Sequence, residues 1–549
     1  MRLALAQINT TIGDFAGNLR AIKAAVERAK VERADVVVLP ELAVCGYPPG
    51  DLLDRPSFLR DQTRALDELV ALSREVAIVA GAVLPAPQGA PKRLSNAAVL
   101  LDRGEIAHVQ AKTLLPTYDV FDESRYFQPA AERRVIEFRG RRVGIAICED
   151  VWSGKFWGAR RPYPVDPVEE LVAAGAEVVW TISASPWNQR KMALREAMLC
   201  DAARQHRVPV VFVNLVGGND ELIFDGTSFV VDADARVVTR LARFAEDFAV
   251  VDPFASGRPE APALEPDPEL LERALVLGIR DYLGKLRLGS AVIGLSGGID
   301  SAVTADLAVR ALGAQNVAGL LMPGPFSSEH SISDAEALAR NLGISARTVR
   351  IDSIYKGYLE QFRHMFGARE SYGLTQENVQ ARIRGALLMA ASNEENRIVL
   401  ATGNKSELSM GYTTLYGDLV GGLAVLGDVL KRDVYALARH ANRAGPRIPR
   451  GSIEKPPSAE LAPGQKDSDS LPPYPVLDEV LHQAIELGLP GDEIEPPAGA
   501  TRETVAWILR QIDRNEYKRR QAPVVLKVSE KAYGSGRRIP IVHRSGWGV

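Results

Sequence analysis

Short apolar runs recur along the chain in two series, and a stretch dense in proline and acidic residues, 252–270, separates the series. Runs such as "RLALAQI" and "ADVVVLPEL" are continuous rather than alternating, which is typical of strands covered on both faces. A segment with helical periodicity, "GNLRAIKAAVERAKVERA", lies between these two runs. This arrangement predicts an α/β fold.

The length of 549 residues supports more than one domain, because a chain of this size exceeds one compact core. We predict a first domain at 1–255, a linker at 256–270 and a second domain at 271–549. A long surface loop within one domain is the alternative reading of the linker. After it, the helix–strand–helix pattern predicts a doubly wound, Rossmann-like parallel sheet. The polar, proline-rich segment 447–474 is expected to be a mobile loop that closes over a substrate.

Composition argues against several functional classes. The net charge is −3 and no long block of one sign occurs, so nucleic acid is not an expected partner. No apolar stretch is long enough to span a bilayer, and the N-terminus does not resemble a signal peptide. The three cysteines form no paired framework, which favours a reducing cytoplasm.

Three residues of reactive type stand at the ends of separate apolar segments in the first half. Glu41 follows "VVVLP", Lys112 lies in "HVQAKTLLPTY", and Cys148 ends "VGIAI". Residues just beyond strand ends converge in open α/β folds, so the three are expected to meet. A lysine would favour the thiolate and stabilise an oxyanion, and a carboxylate could take the thiol proton. Taken alone, a cysteine at the end of a buried strand is more often structural.

The segments "LPELAVCGYPPGD", "KTLLPTYDVFDESRYF" and "AICEDVW" resemble the nitrilase superfamily of carbon–nitrogen hydrolases. The resemblance implies an α-β-β-α sandwich in which Glu41 is the general base, Lys112 stabilises the oxyanion and Cys148 is the nucleophile. It also implies support of the substrate site by Tyr118, Glu123, Ser185, Lys191 and Arg195. Cys45 and Cys200 are interpreted as packing residues, and Glu149 and Asp150 as anchors of the turn after the nucleophile.

In the second half, "IGLSGGIDSAV" follows a predicted strand and opens a predicted helix. Backbone N–H groups in this setting hold phosphate, although a Walker A loop is excluded because no Gly-Lys-Ser/Thr follows. The segment resembles the pyrophosphate-binding loop of the ATP pyrophosphatase group, whose members cleave ATP while adenylating a carboxylate or carbonyl. A plain strand-to-helix turn is the structural alternative.

Two further segments, 375–385 ("TQENVQARIRG") and 401–418 ("ATGNKSELSMGYTTLYGD"), combine charged and small polar residues. Arg382 and Arg384 are two residues apart and do not share a helical face, so they are expected to serve different ligand groups. Read alone, the first of these segments would be a charged solvent face. Asp300 and Glu407 could share a Mg²⁺, since this ion prefers hard oxygen ligands.

As an ordered set, these segments resemble the NAD synthetase family, and the nitrilase-like half extends the resemblance to its glutamine-dependent members. It implies Mg²⁺ with ATP, no prosthetic group, and a metal site formed by Asp300 and Glu407. ATP binding is implied for Ser296, Gly297, Gly298, Asp300, Ser301, Met322, Arg384, Thr402, Lys431 and Ser458. Binding of deamido-NAD⁺ is implied for Asn378, Arg382, Glu407, Asp418 and Lys455.

The reaction implied by the resemblance has two parts. Cys148 releases ammonia from glutamine, ATP adenylates deamido-NAD⁺, and ammonia displaces AMP to give NAD⁺. An enclosed route for ammonia and a homodimer or larger homo-oligomer are expected. Three alternatives stay open. The enzyme could amidate another acceptor, as GMP and asparagine synthetases do. The chain could instead be an amidase with a nucleotide-binding regulatory domain, or a non-catalytic scaffold.

Overall fold

A computed structural model describes residues 1–153, 156–157, 163–255, 260–261 and 267–548. The chain divides into two compact units, Met1–Glu265 and Pro266–Val549. The predicted linker at 256–270 falls largely outside the described residues, and a helix begins at Pro268. No described helix is both long and apolar enough to cross a bilayer.

The N-terminal unit contains two six-stranded sheets. Its strands are β1 (Leu3–Gln7), β2 (Val36–Val38), β3 (Ala77–Pro85), β4 (Leu94–Asp102), β5 (Glu105–Ala111), β6 (Ile136–Phe138), β7 (Arg141–Ile147), β8 (Val178–Ser183), β9 (Val210–Asn214), β10 (Val216–Asn219), β11 (Leu222–Asp225), β12 (Phe229–Val231), β13 (Val237–Arg240) and β14 (Asp247–Val251). Its described helices are α1 (Phe15–Val31), α2 (Pro56–Leu72), α3 (Pro167–Ala173) and α4 (Lys191–His206). The sheet orders are β14-β1-β2-β3-β4-β5 and β13-β12-β9-β8-β7-β6, and β10 pairs with β11.

Consecutive residues along a strand pack in different apolar layers. On β1, Leu3 and Leu5 pack in the core between the two sheets, whereas Ala4 belongs to the layer that includes α1 and α2. On β8, Trp180 lies in the intersheet core and Val179 in the layer that includes α3 and α4. Both faces of each sheet are therefore covered, which explains the continuous apolar runs. The predicted α-β-β-α sandwich is confirmed.

The C-terminal unit is built on one parallel sheet. Its strands are β15 (Ala291–Gly294), β16 (Val317–Leu321), β17 (Ser345–Thr348), β18 (Ile398–Ala401), β19 (Leu423–Ala424) and β20 (Val524–Val525). Its described helices are α5 (Pro268–Lys285), α6 (Ile299–Leu312), α7 (Glu329–Leu342), α8 (Asp352–Phe366), α9 (Leu374–Glu395), α10 (Lys405–Met410), α11 (Lys431–Ala441), α12 (Arg450–Glu454), α13 (Tyr474–Leu481), α14 (Arg502–Arg514) and α15 (Glu516–Arg519).

The order of this sheet is β17-β16-β15-β18-β19-β20, and every pairing is parallel. The strand order reverses between β15 and β18, so the chain leaves their carboxyl ends in opposite directions. Ligands of doubly wound folds bind in the crevice opened by such a reversal. The predicted parallel, Rossmann-like sheet is confirmed, and its switch point lies beside the loop at 295–299.

The predicted mobile loop, 447–474, is partly helical. It contains α12 and a short 3₁₀ turn at Asp467–Asp469, and α13 begins at Tyr474. Its mobility stays a prediction.

Candidate active sites

Glu41 lies three residues beyond β2, where its backbone approaches β3 closely. A Cβ atom on Gly81 would lie 2.0 Å from the backbone nitrogen of Leu42, so glycine is needed at position 81. The Glu41 carboxylate is fully buried and accepts a hydrogen bond from the Ala184 backbone N–H at 2.9 Å. Segments after β2 and β8 therefore hold this carboxylate together.

Lys112 follows β5 and places its ammonium between two carboxylates. Its Nζ donates to Glu41 Oε1 and to Glu123 Oε1, both at 2.7 Å. Burial lowers the pKa of Lys112, but Glu123 and Glu41 outweigh burial and hold the pKa well above its usual value. Lys112 is therefore a permanent cation in the interior of the unit.

Two polar side chains that sequence reasoning missed complete this network. Asn96 Nδ2 donates to Glu41 Oε1 at 2.7 Å and to Glu123 Oε2 at 3.4 Å. The Tyr47 hydroxyl donates to Glu123 Oε1 at 2.8 Å. The one available signal for Asn96 is its position inside the apolar run "LSNAAVLL", because asparagine is depleted in strand interiors.

Cys148 starts a 3₁₀ turn directly after β7 and has a positive φ of 44°, which is uncommon for a residue with a side chain. Asp150 fastens this turn. Its carboxylate accepts from the Ile147 backbone N–H at 3.1 Å and from those of Thr113 and Leu114 at 3.0 and 2.8 Å. The predicted anchoring by Asp150 therefore joins the segment of Cys148 to the segment that follows Lys112.

The Cys148 thiol is 6% exposed, and burial raises its pKa well above the usual value. Glu41 raises this pKa further, whereas Lys112 lowers it. The resting side chain at neutral pH is consequently a thiol, so a nucleophilic step needs a base. Glu41 is a carboxylate in the same buried cluster and can accept that proton.

Glu149 presents a second buried carboxylate next to the nucleophile. The Tyr118 and Tyr163 hydroxyls donate to its Oε1 at 3.0 and 2.8 Å. Lys191, predicted near the substrate site, holds its Nζ 5.3 Å from the ring centroid of Trp152. Both charges act on Cys148, since Glu149 raises the pKa of its thiol and Lys191 lowers it.

Ser185 and Arg195 are both buried. The Ser185 backbone N–H donates to Asn214 Oδ1 at 2.9 Å, and Arg195 Nη2 pairs with Asp225 at 2.9 Å. These contacts stabilise the core around β8, β9 and β11, and the roles of both residues at a substrate site stay predictions.

The environments of the other two cysteines, Cys45 and Cys200, are consistent with the packing role predicted for them. All three cysteines are free thiols. Burial raises the pKa of Cys45 to about 12 and that of Cys200 to about 11, which makes both unreactive near neutral pH.

In the C-terminal unit, the loop after β15 folds tightly onto the start of α6. Gly297 has a φ of 76°, and a Cβ atom on it would lie 2.1 Å from the carbonyl oxygen of Ser331, so glycine is required. The Gly298 backbone N–H donates to Ser296 Oγ, and Ser301 Oγ lies 3.1 Å from that oxygen. Such a strand–loop–helix junction is suited to a phosphate group.

A cavity of about 300 Å³ lies at this switch point, within the size range of small-molecule sites. The predicted residues that line it are Ser296, Gly298, Asp300, Met322, Arg384, Thr402, Glu407, Asp418, Lys431, Lys455 and Ser458. Gly297, Ser301, Asn378 and Arg382 are not among the lining residues.

Lys431 places a second buried ammonium between two carboxylates. Its Nζ lies 2.6 Å from Asp300 Oδ2 and 3.1 Å from Glu407 Oε1. Asn404 caps α10 and donates from Nδ2 to Asp300 Oδ1 at 2.8 Å. Burial lowers the pKa of Lys431, but Asp300 and Glu407 outweigh burial and raise it.

Asp300 and Glu407 both line the cavity, and the Mg²⁺ site predicted for them stays a prediction. Their oxygens converge on one point, which Lys431 Nζ occupies. Within the described part of the chain, no three or more histidine, cysteine or acidic side chains gather as a metal site. Mg²⁺ commonly binds through one or two carboxylates together with substrate phosphates, and this pair offers two hard oxygen donors.

The two arginines of α9 diverge, as their spacing predicts. Arg384 Nε donates to the Met322 carbonyl oxygen at 3.0 Å, and burial lowers the pKa of this guanidinium to about 10. Arg382 Nε donates to the carbonyl oxygen of Leu415 at 3.1 Å, away from the cavity lining. Only Arg384 of these two presents its guanidinium at the cavity.

Asn378 and Asp418 meet at the segment that follows α10. Thr414 Oγ1 donates to Asn378 Oδ1 at 2.8 Å, and the Thr414 backbone N–H donates to Asp418 Oδ1 at 2.8 Å. Burial raises the pKa of Asp418 to about 6. Asp418 reaches the cavity, whereas Asn378 supports the segment behind it.

The segment after α12 closes the cavity near the start of α7. Lys455 Nζ donates to Ser331 Oγ at 2.9 Å. Glu460 accepts from Ser331 Oγ at 2.7 Å and from the backbone N–H of Ser328, the N-cap of α7, at 3.1 Å. A carboxylate is thus seated at a helix N-terminus, a position that favours negative charge.

Comparisons with known proteins find a family match for each of the two units. The carbon-nitrogen hydrolase family matches residues 2–253, and the NAD synthase family matches residues 271–522. The glutamine-dependent NAD(+) synthetase of Synechocystis sp. is 46% identical over 98% of each chain. The enzyme of the same name from Thermotoga maritima is 41% identical over 99% of each chain.

Among solved structures, the glutamine-dependent NAD⁺ synthetase of Acinetobacter baumannii in complex with adenosine diphosphate is 37% identical. It covers 98% of both chains with a TM-score of 0.78. Full-length similarity of this order, together with two separate sites of the kinds described above, assigns the chain to a family. The chain belongs to the glutamine-dependent NAD(+) synthetases.

Proposed function

We propose that this chain forms NAD⁺ from deamido-NAD⁺ and ATP, with nitrogen taken from glutamine. The observation that carries the proposal is the presence, in one chain, of a buried Glu41–Lys112 pair beside Cys148 and of a cavity lined by Asp300 and Lys431. The first arrangement suits attack on an amide, and the second suits the binding of a nucleoside triphosphate.

The glutaminase half-reaction follows from the buried network. Glu41 takes the thiol proton while Cys148 Sγ attacks the carboxamide carbon, and Lys112 stabilises the oxyanion. The intermediate collapses with loss of ammonia, to which Glu41 returns the proton, and a γ-glutamyl thioester remains. Water, deprotonated by Glu41, then hydrolyses the thioester to glutamate and restores the Cys148 thiol.

Glu149 supports an amino acid as the substrate. Its carboxylate lies next to the nucleophile in sequence and is 4% exposed as a residue, held by the Tyr118 and Tyr163 hydroxyls. A buried carboxylate favours a cationic ligand group, since an unpaired charge in the interior is costly. The α-ammonium of glutamine supplies such a group.

The synthetase half-reaction uses the cavity of the C-terminal unit. The 296–301 loop binds the phosphates of ATP, and Arg384, Lys431 and Lys455 supply positive charge. Asp300 and Glu407 would hold Mg²⁺, which neutralises phosphate charge when bound. The nicotinate carboxylate attacks the α-phosphorus with loss of pyrophosphate, and ammonia then displaces AMP. ATP is needed because a free carboxylate has no good leaving group.

The remaining parts of the proposal concern organisation. The glutaminase is assigned to 1–255, the linker to 256–270 and the synthetase to 271–549, which the two family matches support. Free thiols support a cytoplasmic setting. An enclosed route for ammonia would protect it from loss to solvent.

We further propose a homodimer or larger assembly through the α8 region. Large apolar side chains stand exposed there, including Tyr358, Met365, Phe366 and Leu374, with Met365 at 68% exposure. Apolar patches of this kind mark association surfaces.

The proposal is tested with the wild-type protein and a panel of acceptors. We expect NAD⁺ from deamido-NAD⁺ with either glutamine or ammonium, and one AMP and one pyrophosphate per NAD⁺. Xanthosine monophosphate and aspartate should not be amidated. Amidation of either one instead, or glutamine hydrolysis with no NAD⁺ under any condition, would contradict the proposal.

A further inference from the structure

Asn96 contacts both carboxylates of the N-terminal network and the backbone of the lysine between them. Its side-chain Nδ2 donates to Glu41 Oε1 at 2.7 Å and to Glu123 Oε2 at 3.4 Å. Its backbone carbonyl accepts from the backbone N–H of Lys112 at 2.8 Å. The residue is 0% exposed and lies in β4, the strand that pairs with β5 ahead of Lys112.

The electrostatic problem in this network is that two buried carboxylates share one ammonium. Lys112 Nζ lies 2.7 Å from both Glu41 and Glu123, so one cation faces two potential anions. Like charges in such a pair raise the pKa of at least one member. A neutral N–H donor that reaches both carboxylates stabilises their ionised forms without adding a second positive charge.

We propose that Asn96 is a positioning residue for the glutaminase reaction, which fixes Glu41 and Glu123 around Lys112 by donating hydrogen bonds to both carboxylates. This inference rests on the proposed function of Cys148. An amide is suited to the task because it donates to both carboxylates, whereas a carboxylate at position 96 would place a third acid against the two glutamates. A second cation there would weaken the base.

The other hydrogen-bond partners of Glu41 and Glu123 also differ. Glu41 Oε2 receives the Ala184 backbone N–H, and Glu123 Oε1 receives the Tyr47 hydroxyl. Burial raises the pKa of Glu123, an effect that Lys112 opposes and Glu41 reinforces. Asn96 donates at 2.7 Å to Glu41 and at the longer 3.4 Å to Glu123. The shorter bond is to the residue that must act as the base.

A purely structural role for Asn96 predicts a different result from a positioning role, and two variants distinguish these roles. Asn96→Ala removes the donor and leaves a cavity, whereas Asn96→Asp keeps the shape and replaces the donor by an acid. If packing were all that mattered, the isosteric Asn96→Asp would be the milder change. If positioning and ionisation of the glutamates matter, Asn96→Asp is the more severe one.

The experiment measures glutamine hydrolysis by the full chain across a range of pH. We expect Asn96→Ala to lower kcat about 100-fold while KM changes less than about threefold, as for a group that acts through the general base. The acid limb of kcat/KM should move to higher pH, because loss of the donor disfavours the ionised glutamates. Asn96→Asp should lower kcat further and move the acid limb further in the same direction.

Asn18 offers a matched control in the same unit. Its buried side-chain amide donates to the Thr11 and Val44 carbonyl oxygens at 2.9 and 3.1 Å, in a loop–helix contact that involves none of the groups named above. Asn18→Ala should lower the melting temperature without moving the pH profile. Ammonium-dependent NAD⁺ synthesis reports on folding of the other unit for every variant.

Three results would overturn the inference: a milder effect of Asn96→Asp than of Asn96→Ala, equal loss in both, or an acid limb that neither variant moves. Failure of the proposed role of Cys148 is distinguishable, because the wild type would then hydrolyse no glutamine. A wild type that hydrolyses glutamine, with Asn96 variants that match it, would refute the role of Asn96 alone.

Discussion

Each unit of the chain holds a buried lysine between two carboxylates, and the two arrangements differ in what surrounds them. Lys112 contacts Glu41 and Glu123 at 2.7 Å each, in a cluster whose acidic side chains are at most 6% exposed. Lys431 contacts Asp300 and Glu407 at 2.6 and 3.1 Å, but these side chains are 19% and 16% exposed and line a cavity.

The difference indicates two kinds of chemistry. The N-terminal cluster is closed by protein donors and has its nucleophile, Cys148, in the same core. The C-terminal cluster is open on one side, where a charged ligand can bind and change the net charge of the cluster. We therefore propose that a buried cation between two acids serves covalent catalysis in one unit and ligand binding in the other.

The largest expected effect comes from removing each lysine in turn. Lys112→Met should lower glutamine-dependent NAD⁺ synthesis about 1000-fold or more, since an oxyanion partner of this kind contributes factors of about 10² to 10³ and the base is displaced as well. Lys431→Met should lower synthesis from both nitrogen sources by a similar factor. Glutamine hydrolysis and ammonium-dependent NAD⁺ formation are measured separately for each variant.

A third buried lysine supplies the control. Lys405 lies between Asp428 and Glu486 at 2.9 Å each and is not among the residues that line the cavity. Lys405→Met should cost about 3–5 kcal/mol of stability through the unpaired acids, with smaller effects on kcat of the folded fraction. Loss of ammonium-dependent synthesis in Lys112→Met, with the melting temperature unchanged, would contradict the division of tasks.

The reactivity of Cys148 provides a smaller effect. Burial raises the thiol pKa well above its usual value, so alkylation near neutral pH needs a group that accepts the thiol proton. Glu41→Gln removes the proposed base and should slow alkylation of Cys148 by iodoacetamide about 100-fold, while it abolishes turnover. The modified fraction is followed by mass spectrometry. Alkylation as fast as in the wild type would show that Glu41 does not take the thiol proton.

The smallest effect is expected at the edge of the cavity. Glu460 places a carboxylate at the N-terminus of α7, beside Lys455 and Ser331. Glu460→Gln removes a negative charge close to the proposed phosphate site and should change the KM for ATP about two- to fivefold, as for other helix-terminus charges. Steady-state kinetics with ammonium as the nitrogen source measure it. A change above 100-fold would place Glu460 in the reaction itself.

The sequence predicts the layers of both units and the main residues of both sites. Glu41 and Cys148 follow continuous apolar runs, and the loop at 296–301 stands between a run and a helix, so strand ends identify them. The short strands β19 and β20 have two residues each, which is too little for a periodic signal. β19 pairs with β18 and β20 pairs with β19, so both strands depend on tertiary contacts.

The residues that hold the N-terminal site in place could not be predicted in the same way. Asn96 lies in a segment with no reactive residue, and Tyr47 is 76 positions from its partner Glu123, so both contacts depend on the fold. Arg195 is a similar case, since its buried partner Asp225 is 30 positions away in the sequence. Sequence patterns show which type of residue stands at a strand end. The side chains that it contacts across strands can be identified only from the fold.

The most direct test of two separate reactions is Cys148→Ala assayed with two nitrogen sources. The full chain carrying this change should lose glutamine-dependent NAD⁺ formation and retain ammonium-dependent formation within about threefold, because only the covalent step is removed. Loss of both activities in a folded variant, or retention of both, would contradict the account.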